Sequence, residues 1–323
     1  MKKILYILFN LSAVQLIFIP TILSAQPLQF ELQPEAFPVT LNGWEMFSPW
    51  AGGMDATTPE LCDIDADGDL DLFMGKEQSY ISYFENIGNP DSANFKYITY
   101  NLDSMYMPYG GIDNPTDIDF ADINSNGKYD AFVGGAYVFL YYNNGTEYSP
   151  NFIGVYDTLY DISLNFINGT HVALEDIDLD GDFDLFAGHY SGYIKYYENI
   201  GTSTDYSFQL ISSDWWNTFT SQGYSDPCFG DLDTDGDLDL LVGTGQGKIY
   251  YYRNDGTPQV PQMTYITSNF CNIDVGEDAS PELADLDGDG DLDLLVGRDS
   301  GANESAMTQG DVYYYENIGT PQN

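Results

Sequence analysis

Five nine-residue segments carry oxygen-bearing side chains at alternate positions, and each has the composition of a metal-binding loop. The clearest is Asp285-Leu-Asp-Gly-Asp-Gly-Asp-Leu-Asp293, and similar segments begin at Asp63, Asp122, Asp176 and Asp231. Carboxylates at this density repel one another unless a cation lies between them. Oxygen ligands at positions 1, 3 and 5, a backbone carbonyl near position 7 and a closing carboxylate are what Ca²⁺ coordination requires. The segments therefore predict calcium loops.

These loops differ from an EF-hand, which closes with Glu at its twelfth position and is flanked by helices. Here the ninth position closes the loop and an apolar strand follows directly. The second loop has only two carboxylates and carries Lys128, so we expect it to bind calcium most weakly of up to five sites. With position 7 acting through its carbonyl, the candidate ligands are Asp63, Asp65, Asp67, Asp69 and Asp71; Asp122, Asn124, Asn126, Lys128 and Asp130; Asp176, Asp178, Asp180, Asp182 and Asp184; Asp231, Asp233, Asp235, Asp237 and Asp239; Asp285, Asp287, Asp289, Asp291 and Asp293.

Catalysis is the alternative interpretation of such carboxylates, since a pair of them cleaves glycosidic bonds in many enzymes. A catalytic pair would normally occur once, whereas these residues recur at five equivalent turns, which favours a structural ion. His171 and His189 are the only histidines, and they match no catalytic triad or zinc spacing. We expect both to be packing residues, and the sequence assigns no catalytic residue.

The loops recur at spacings of 59, 54, 55 and 54 residues, which is the signature of an array, a solenoid or a propeller. After each loop comes an apolar strand ending in glycine, and then an aromatic strand ending in an Asn-x-Gly turn. We expect the Asn and Gly of these turns to adopt positive φ. No segment has sustained helical periodicity, so the sequence predicts an all-β protein. The turns lie at Asn86/Gly88, Asn143/Gly145, Asn199/Gly201, Asn254/Gly256 and Asn317/Gly319.

A fourth strand is indicated by an apolar residue seven positions after each of the first four turn glycines: Phe95, Phe152, Phe208 and Met263. The fifth repeat stops before this position, but residues 28–32 have a fourth-strand pattern and precede the first loop. The sequence thus predicts a five-bladed β-propeller of four-stranded blades, formed by residues 26–323, in which the N-terminal strand closes the last blade. The alternative is that the five blades form part of a larger propeller.

The D-x-D-x-D-G-D-x-D-L runs, the Val/Ala-Gly that follows them and the Tyr-Tyr-Glu-Asn-Ile-Gly strand ends resemble the FG-GAP/VCBS repeats, which also occur in integrin α-subunits. The resemblance covers nearly all of residues 59–323. It implies a secreted or cell-surface propeller whose calcium loops join the first and second strands of each blade. It does not identify a ligand, because this architecture serves many functions.

Residues 1–25 have the pattern of a secretory signal peptide, with Lys2 and Lys3 before an apolar run and small residues before Gln26. The alternative is an uncleaved membrane anchor. No later stretch is apolar enough to span a bilayer.

The formal net charge is −42, and 22 of the 51 acidic residues lie in the five loops. This charge disfavours a nucleic-acid partner, and 15% aromatic residues argue against disorder. Cys62, Cys228 and Cys271 are expected to be small buried residues, although one pair could form a disulfide.

A binding surface is suggested by the positions of the tryptophans. Trp44, Trp50, Trp215 and Trp216 fall in or beside the connectors between blades. Tyr106, Tyr109 and Tyr224 occupy comparable places, and the hairpin 298–310 is the longest of its kind. Aromatic residues on one face stack on sugars or anchor a protein partner; alternatively, they pack between blades. The expected function is a non-catalytic binding or adhesion module for a glycan or an extracellular protein, and the alternative is an extracellular polysaccharide-degrading enzyme.

Overall fold

The computed structural model describes residues 28–33, 37–41, 44–45, 57–76, 80–105, 117–152, 156–218, 220, 223–298 and 311–319. The expected signal peptide, residues 1–25, lies outside the described residues. The described segments contain 22 β-strands and three short 3₁₀ helices, so the prediction of an all-β protein is confirmed. The first strands are β1 (Phe30–Leu32), β2 (Val39–Leu41), β3 (Trp44–Glu45), β4 (Thr58–Cys62), β5 (Asp71–Lys76), β6 (Tyr80–Asn86), β7 (Phe95–Thr99), β8 (Ile118–Ala121), β9 (Asp130–Val133), β10 (Phe139–Tyr141) and β11 (Tyr156–Thr158). The others are β12 (His171–Glu175), β13 (Asp184–Gly188), β14 (Ile194–Asn199), β15 (Phe208–Ser212), β16 (Ser225–Gly230), β17 (Asp239–Thr244), β18 (Ile249–Asn254), β19 (Met263–Thr267), β20 (Ser280–Ala284), β21 (Asp293–Gly297) and β22 (Val312–Asn317).

Each of the five blades contains four antiparallel strands; in the first four blades these follow the sequence order, and in the fifth the N-terminal strand β1 lies outside β22. The predicted five-bladed propeller is therefore confirmed. Each predicted metal loop joins the first strand of its blade to the second. The loop at 63–71, for example, leads from β4 into β5, whose first residue Asp71 pairs with Cys62. The loops and the Asn-x-Gly hairpins thus lie at one end of the blades. The second-to-third hairpins and the connectors between blades lie at the other end, called the connector face below.

The fifth blade is completed by the N-terminal strand, as the sequence predicts. β1 pairs antiparallel with β22, and Phe30 lies opposite Asn317 while Leu32 lies opposite Tyr315. The ring of Phe30 also contacts the ring of Phe270 in the fourth blade, with centroids 5.4 Å apart. This closure leaves no blade with a missing outer strand, and it joins the two ends of the described chain.

Two blades differ from the predicted pattern. The first blade carries β2 and β3 outside β7, and β2 pairs parallel with β7 through Val39 and Phe95. In the second blade the fourth strand begins at Tyr156, not at Phe152 as predicted. Phe152 is nonetheless fully buried, and its backbone N–H donates to Asp103 Oδ2 (2.8 Å). Its apolar side chain serves as an anchor between blades just before the strand.

The core consists of apolar layers between neighbouring blades. Every residue of β9, β13, β17 and β21 is buried, because a blade packs against a neighbour on each face. Aromatic rings meet across these layers: Phe73 lies 4.6 Å from Phe120, and Phe186 lies 4.6 Å from Phe229. Such rings bury large apolar areas and dominate the packing energy.

The expected positive φ of the Asn-x-Gly turns is wrong. None of these asparagines and turn glycines is among the described residues with positive φ. Asn86 is needed for its side chain, since its Oδ1 accepts from the backbone N–H of Gly88 (3.0 Å) and Asn94 (2.9 Å). Gly88 is needed for close approach, because a Cβ there would lie 2.3 Å from the carbonyl oxygen of Ser92. The turn is selected by hydrogen bonding and space.

The three cysteines are free; Cys62 and Cys228 are buried and Cys271 is half-buried. The expectation of small buried residues is therefore confirmed for two of them, and no pair forms a disulfide.

Candidate metal-binding loops

Each loop is folded by its own first aspartate. In the first loop, Asp63 Oδ1 accepts from the backbone N–H of Asp67 (3.1 Å), and Asp63 Oδ2 accepts from that of Gly68 (3.2 Å). The equivalent bonds form in the second, third and fourth loops. In the fifth loop, Asp285 Oδ2 accepts from the N–H of Gly290 (3.1 Å) as expected, but Asp285 Oδ1 accepts from that of Gly288 (2.8 Å), one residue earlier. Position 6 is glycine throughout, with φ between +81° and +98°. This is a conformation that L side chains rarely adopt.

Position 4 is also left-handed, with φ near +55° at Ala66, Leu179 and Thr234. Only the fifth loop places a glycine there, Gly288. Two left-handed residues separated by one position curl the backbone, so the side chains of positions 1, 3 and 5 converge on a common centre.

Four of the five loops bring three carboxylates together. In each, one oxygen from positions 1, 3 and 5 lies within 4.8 Å of the others, and the third carboxylate is exposed. Such groups strongly repel one another without a cation. The four triads are Asp63, Asp65 and Asp67; Asp176, Asp178 and Asp180; Asp231, Asp233 and Asp235; Asp285, Asp287 and Asp289.

Position 7 supplies an observation that the sequence did not. Its side chain is buried, and an oxygen has no hydrogen-bond partner at Asp69, Asp182, Asp237 and Asp291. Burial and the neighbouring aspartates raise the pKa of Asp69 to about 6 and of Asp291 to about 7. A buried carboxylate oxygen without a partner is costly. A hard cation in the loop would satisfy it, so these residues fit Ca²⁺.

The sequence predicts position 9 only as a metal ligand, but its carboxylate also accepts hydrogen bonds from the third strand. Asp184 Oδ1 accepts from the backbone N–H of Asn199 (2.7 Å), and Asp184 Oδ2 accepts from the hydroxyl of Tyr196 (2.8 Å). The same pair of bonds occurs at Asp71, Asp239 and Asp293. This carboxylate therefore fixes the start of the second strand to the end of the third. A carboxylate has further lone pairs, so the role is compatible with ligation.

The polar side chains of the second loop form hydrogen bonds that the other loops do not have. The Asn124 amide donates to Asp130 Oδ2 (2.6 Å), and the Lys128 ammonium donates to the carbonyl of Asn143 (2.6 Å). The ammonium group thus brings positive charge into a loop that has fewer carboxylates. This arrangement supports the expectation that any metal binds there most weakly.

A family model described as FG-GAP-like repeat matches residues 176–242 and 231–296. Residues 176–296 of this five-bladed propeller therefore match FG-GAP-like repeats. The matched regions contain the third, fourth and fifth loops, and the first two blades have the same strand order.

Comparisons with curated proteins and with solved structures give no match and weak matches, respectively. No curated protein matches the sequence. A chain in a structure of the Photorhabdus luminescens Tc holotoxin pore is 16% identical, with a TM-score of 0.37, and covers 82% of this chain. The FG-GAP propeller spans only 11% of that chain. A crystal structure of BBS1N in complex with ARL6DN is 10% identical, with a TM-score of 0.34, and covers 91% of this chain and 98% of that one. These likenesses are too weak to support a function.

The aromatic residues of the FG-GAP propeller divide between core and surface. Trp215 is 5% exposed and packs 4.7 Å from Phe186, so it is not available to a ligand and corrects the expectation for this residue. It begins a 3₁₀ helix equivalent to those that begin at Leu102 and Phe270. All three lie seven residues after the start of a fourth strand, a spacing that could have revealed Trp215 as a core anchor.

Trp216, the next residue, is 43% exposed. The side chain of Trp44 lies outside the described part of the structure, as do Trp50, Tyr106, Tyr109 and most of the 298–310 hairpin. Other exposed aromatics share the connector face with Trp216: Tyr80, Tyr100, Tyr160, Phe166, Tyr190 and Tyr193.

Both histidines contact neighbouring residues of the described segments. His171 is buried and its Nδ1 lies 3.1 Å from Thr170 Oγ1. His189 Nδ1 accepts from the backbone N–H of Ser191 (3.1 Å), and its ring contacts the ring of Tyr190.

Sequence reasoning missed a group of carboxylates in the first strands of the blades, because each blade contributes only one or two of them.

Proposed function

We propose that this FG-GAP propeller is exported, stabilised by calcium, and acts outside the cell as a non-catalytic binding module for a glycan or a protein. Repeats of this family are typical of extracellular and cell-surface proteins. Within the described segments, no helix is long and apolar enough to cross a bilayer. The observation that carries the calcium proposal is the set of four Asp triads with a partnerless buried oxygen beside each.

Calcium would stabilise the fold because binding energy released in the folded loops adds to the free energy of unfolding. We expect EGTA to lower the melting temperature strongly and Ca²⁺ to restore it. Asp180→Asn should remove one strongly bound ion, as measured by metal analysis after dialysis. Glu147→Gln, which removes one exposed charge outside the loops, serves as the control. An unchanged melt in EGTA would contradict the proposal.

Ligand binding is proposed for the connector face. Tyr80 and Tyr100 form an exposed aromatic pair with ring centroids 5.7 Å apart. Tyr137, Phe166 and Tyr160 form a second group, with successive centroids 4.5 Å and 4.6 Å apart. Tyr137 is half-buried against the core, whereas the other four rings are exposed. Exposed rings can stack on sugars or anchor protein partners.

A glycan array with the calcium-loaded protein tests this proposal. We expect retention of a glycan without product release, and weaker retention by Trp216→Ala or Tyr100→Ala. Shortening of a polysaccharide would instead support the extracellular enzyme. Export is tested separately by sequencing the N-terminus of the protein in the medium and in the membrane fraction, for which the expected first residue is Gln26. A mature protein that retained residues 1–25 would contradict signal cleavage and support the anchor.

A further inference from the structure

The first strands of the five blades surround a central channel that is lined with acid. The channel contains a cavity of about 340 Å³, bordered by residues of β4, β8, β12, β16 and β20. None of the described residues that border it is lysine or arginine. Seven acidic residues border it: Asp63 of the first loop, and six residues on or beside the first strands, called the channel carboxylates below, which are Glu60, Asp117, Asp119, Glu175, Asp226 and Glu282. No cationic side chain of that lining offsets them, and burial raises the pKa of Glu60, Asp117 and Glu282 well above its ordinary range, so a cation would bind them by displacing protons.

These carboxylates stand at successive levels along the channel. Asp117 and Asp226 each precede the first aspartate of their loop by five residues, Glu60, Asp119 and Glu282 precede it by three, and Glu175 precedes it by one. Alternate residues of a strand face the same side, and each residue rises about 3.4 Å. The three levels are therefore about 7 Å apart from one to the next.

Two of the channel carboxylates hold neighbouring blades together. Asp117 Oδ2 accepts from the backbone N–H of Val172 (2.7 Å), and Asp119 Oδ2 accepts from that of Leu174 (2.6 Å). Both bonds cross from the second blade to the third. An uncharged amide oxygen would accept these bonds equally well. Joining the blades therefore explains the acceptors but not the acidity.

Asp226 supplies an independent sign of a ligand. Its side chain is 7% exposed, yet its Oδ2 has no hydrogen-bond partner. The nearest basic atom, His171 Nε2, lies 3.8 Å away, beyond hydrogen-bond distance. Burial lowers the pKa of His171, so this ring is not the missing cation near neutral pH. A buried carboxylate oxygen that faces a cavity normally has a donor.

The missing cation is not a single metal ion held in a ready-made cage. Among the described residues, three acidic, histidine or cysteine ligand atoms lie within 4.8 Å of one another only in the four loop triads. The channel carboxylates are instead distributed over three levels of an elongated space. A ligand that pairs with the level of Asp117 and Asp226 and with the level of Glu60, Asp119 and Glu282 needs positive charge at two points along its length.

We propose that the central channel binds an aliphatic diamine or polyamine. One ammonium group would donate to Asp226 and Asp117, and the other to Glu282, Glu60 and Asp119. The methylene chain between two amino groups of a short diamine is long enough to join levels about 7 Å apart. Charge-assisted hydrogen bonds to several carboxylates would provide the affinity.

Isothermal titration of the calcium-saturated protein with 1,4-diaminobutane tests the proposal, and butylamine is the matched ligand with one nitrogen. We expect one diamine per chain and at least tenfold weaker binding of butylamine, because one level of carboxylates stays unpaired. Asp226→Asn and Glu282→Gln should each weaken diamine binding by at least about tenfold. Glu147→Gln, which removes an exposed charge elsewhere, should have no effect.

The variants must melt within a few degrees of the parent protein in calcium, so that lost binding is not lost folding. If Asp226→Asn unfolds, Glu60→Gln and Glu282→Gln carry the test at the other level. Equal binding of the diamine to the parent and to the channel variants would overturn the proposal. So would the absence of one-to-one binding, or stoichiometric occupation of the channel by Mg²⁺, which displaced the diamine.

Discussion

At the scale of single residues, the loops combine candidate metal ligands with a strained backbone. The position-6 glycines adopt positive φ, and at Gly68 (φ +98°) a Cβ would meet no atom within 4 Å. A substitution there would therefore test the backbone conformation alone. Position 4 accommodates Ala66 at φ +55°, which lies in the left-handed region that non-glycine residues enter at moderate cost. Both positions curl the loop backbone, but only position 4 tolerates a residue other than glycine at moderate cost.

Gly68→Ala should reduce the free energy of unfolding by about 1–2 kcal/mol, because alanine is strained at this φ. Ala66→Gly, two positions earlier in the same loop, should change it by less than about 0.5 kcal/mol, since relieved strain and greater freedom of the unfolded chain offset each other. Urea denaturation in saturating calcium measures both. A larger loss for Ala66→Gly than for Gly68→Ala would contradict the proposed strain.

The adjacent residues Trp215 and Trp216 should respond oppositely to truncation. Trp215 is buried against Phe186 and Phe229, so Trp215→Ala should cost about 3–5 kcal/mol of stability. Trp216 is largely exposed, so Trp216→Ala should cost less than about 1 kcal/mol and act on ligand retention. Denaturation curves together with glycan binding separate the two effects. A large loss of stability for Trp216→Ala would assign it to the core.

At the scale of strands and loops, repetition made the sequence informative. The spacing of the five aspartate loops predicted the number of blades, and the unmatched N-terminal strand predicted the pairing of β1 with β22. Features that occur in one blade only, or that form between distant residues after folding, could not be predicted from the repeat. The strands β2 and β3 add to one blade only. Position 9 bonds to Asn199 and Tyr196 some 12 to 15 residues away, a contact that exists only once the second and third strands pair. The channel carboxylates meet only when five separate strands come together.

The second loop is the element whose metal affinity should be easiest to change. Replacing Asn124, Asn126 and Lys128 by aspartate would give it the acidic pattern of the other four loops and remove the Lys128 ammonium from the Asn143 carbonyl. We expect the triple variant to retain one more Ca²⁺ per chain after dialysis, because ligand charge sets affinity. In the unaltered protein, the second loop should lose calcium first during a chelator titration. Equal occupancy of all five loops throughout that titration would contradict this expectation.

At the scale of the whole molecule, the buried acids should make stability depend on both pH and calcium. Burial raises the pKa of Asp184, Asp239 and Asp226 to about 7 and that of Glu175 to about 8. Between pH about 4 and these values, the folded chain holds protons that the unfolded chain releases. Stability from this source is complete below pH about 4 and is lost as the pH rises through about 7 to 8.

In EGTA, the melting temperature should therefore fall as the pH rises from 5 to 8. With saturating Ca²⁺ the trend should flatten or reverse, because metal binds the deprotonated carboxylates and its affinity increases with pH. Thermal denaturation at a series of pH values, with and without calcium, measures both slopes. The two curves should converge at low pH, where protons replace the ion, and separate most at pH 8. A metal-free protein that became more stable between pH 5 and 8 would mean that these carboxylates are charged and already paired without calcium.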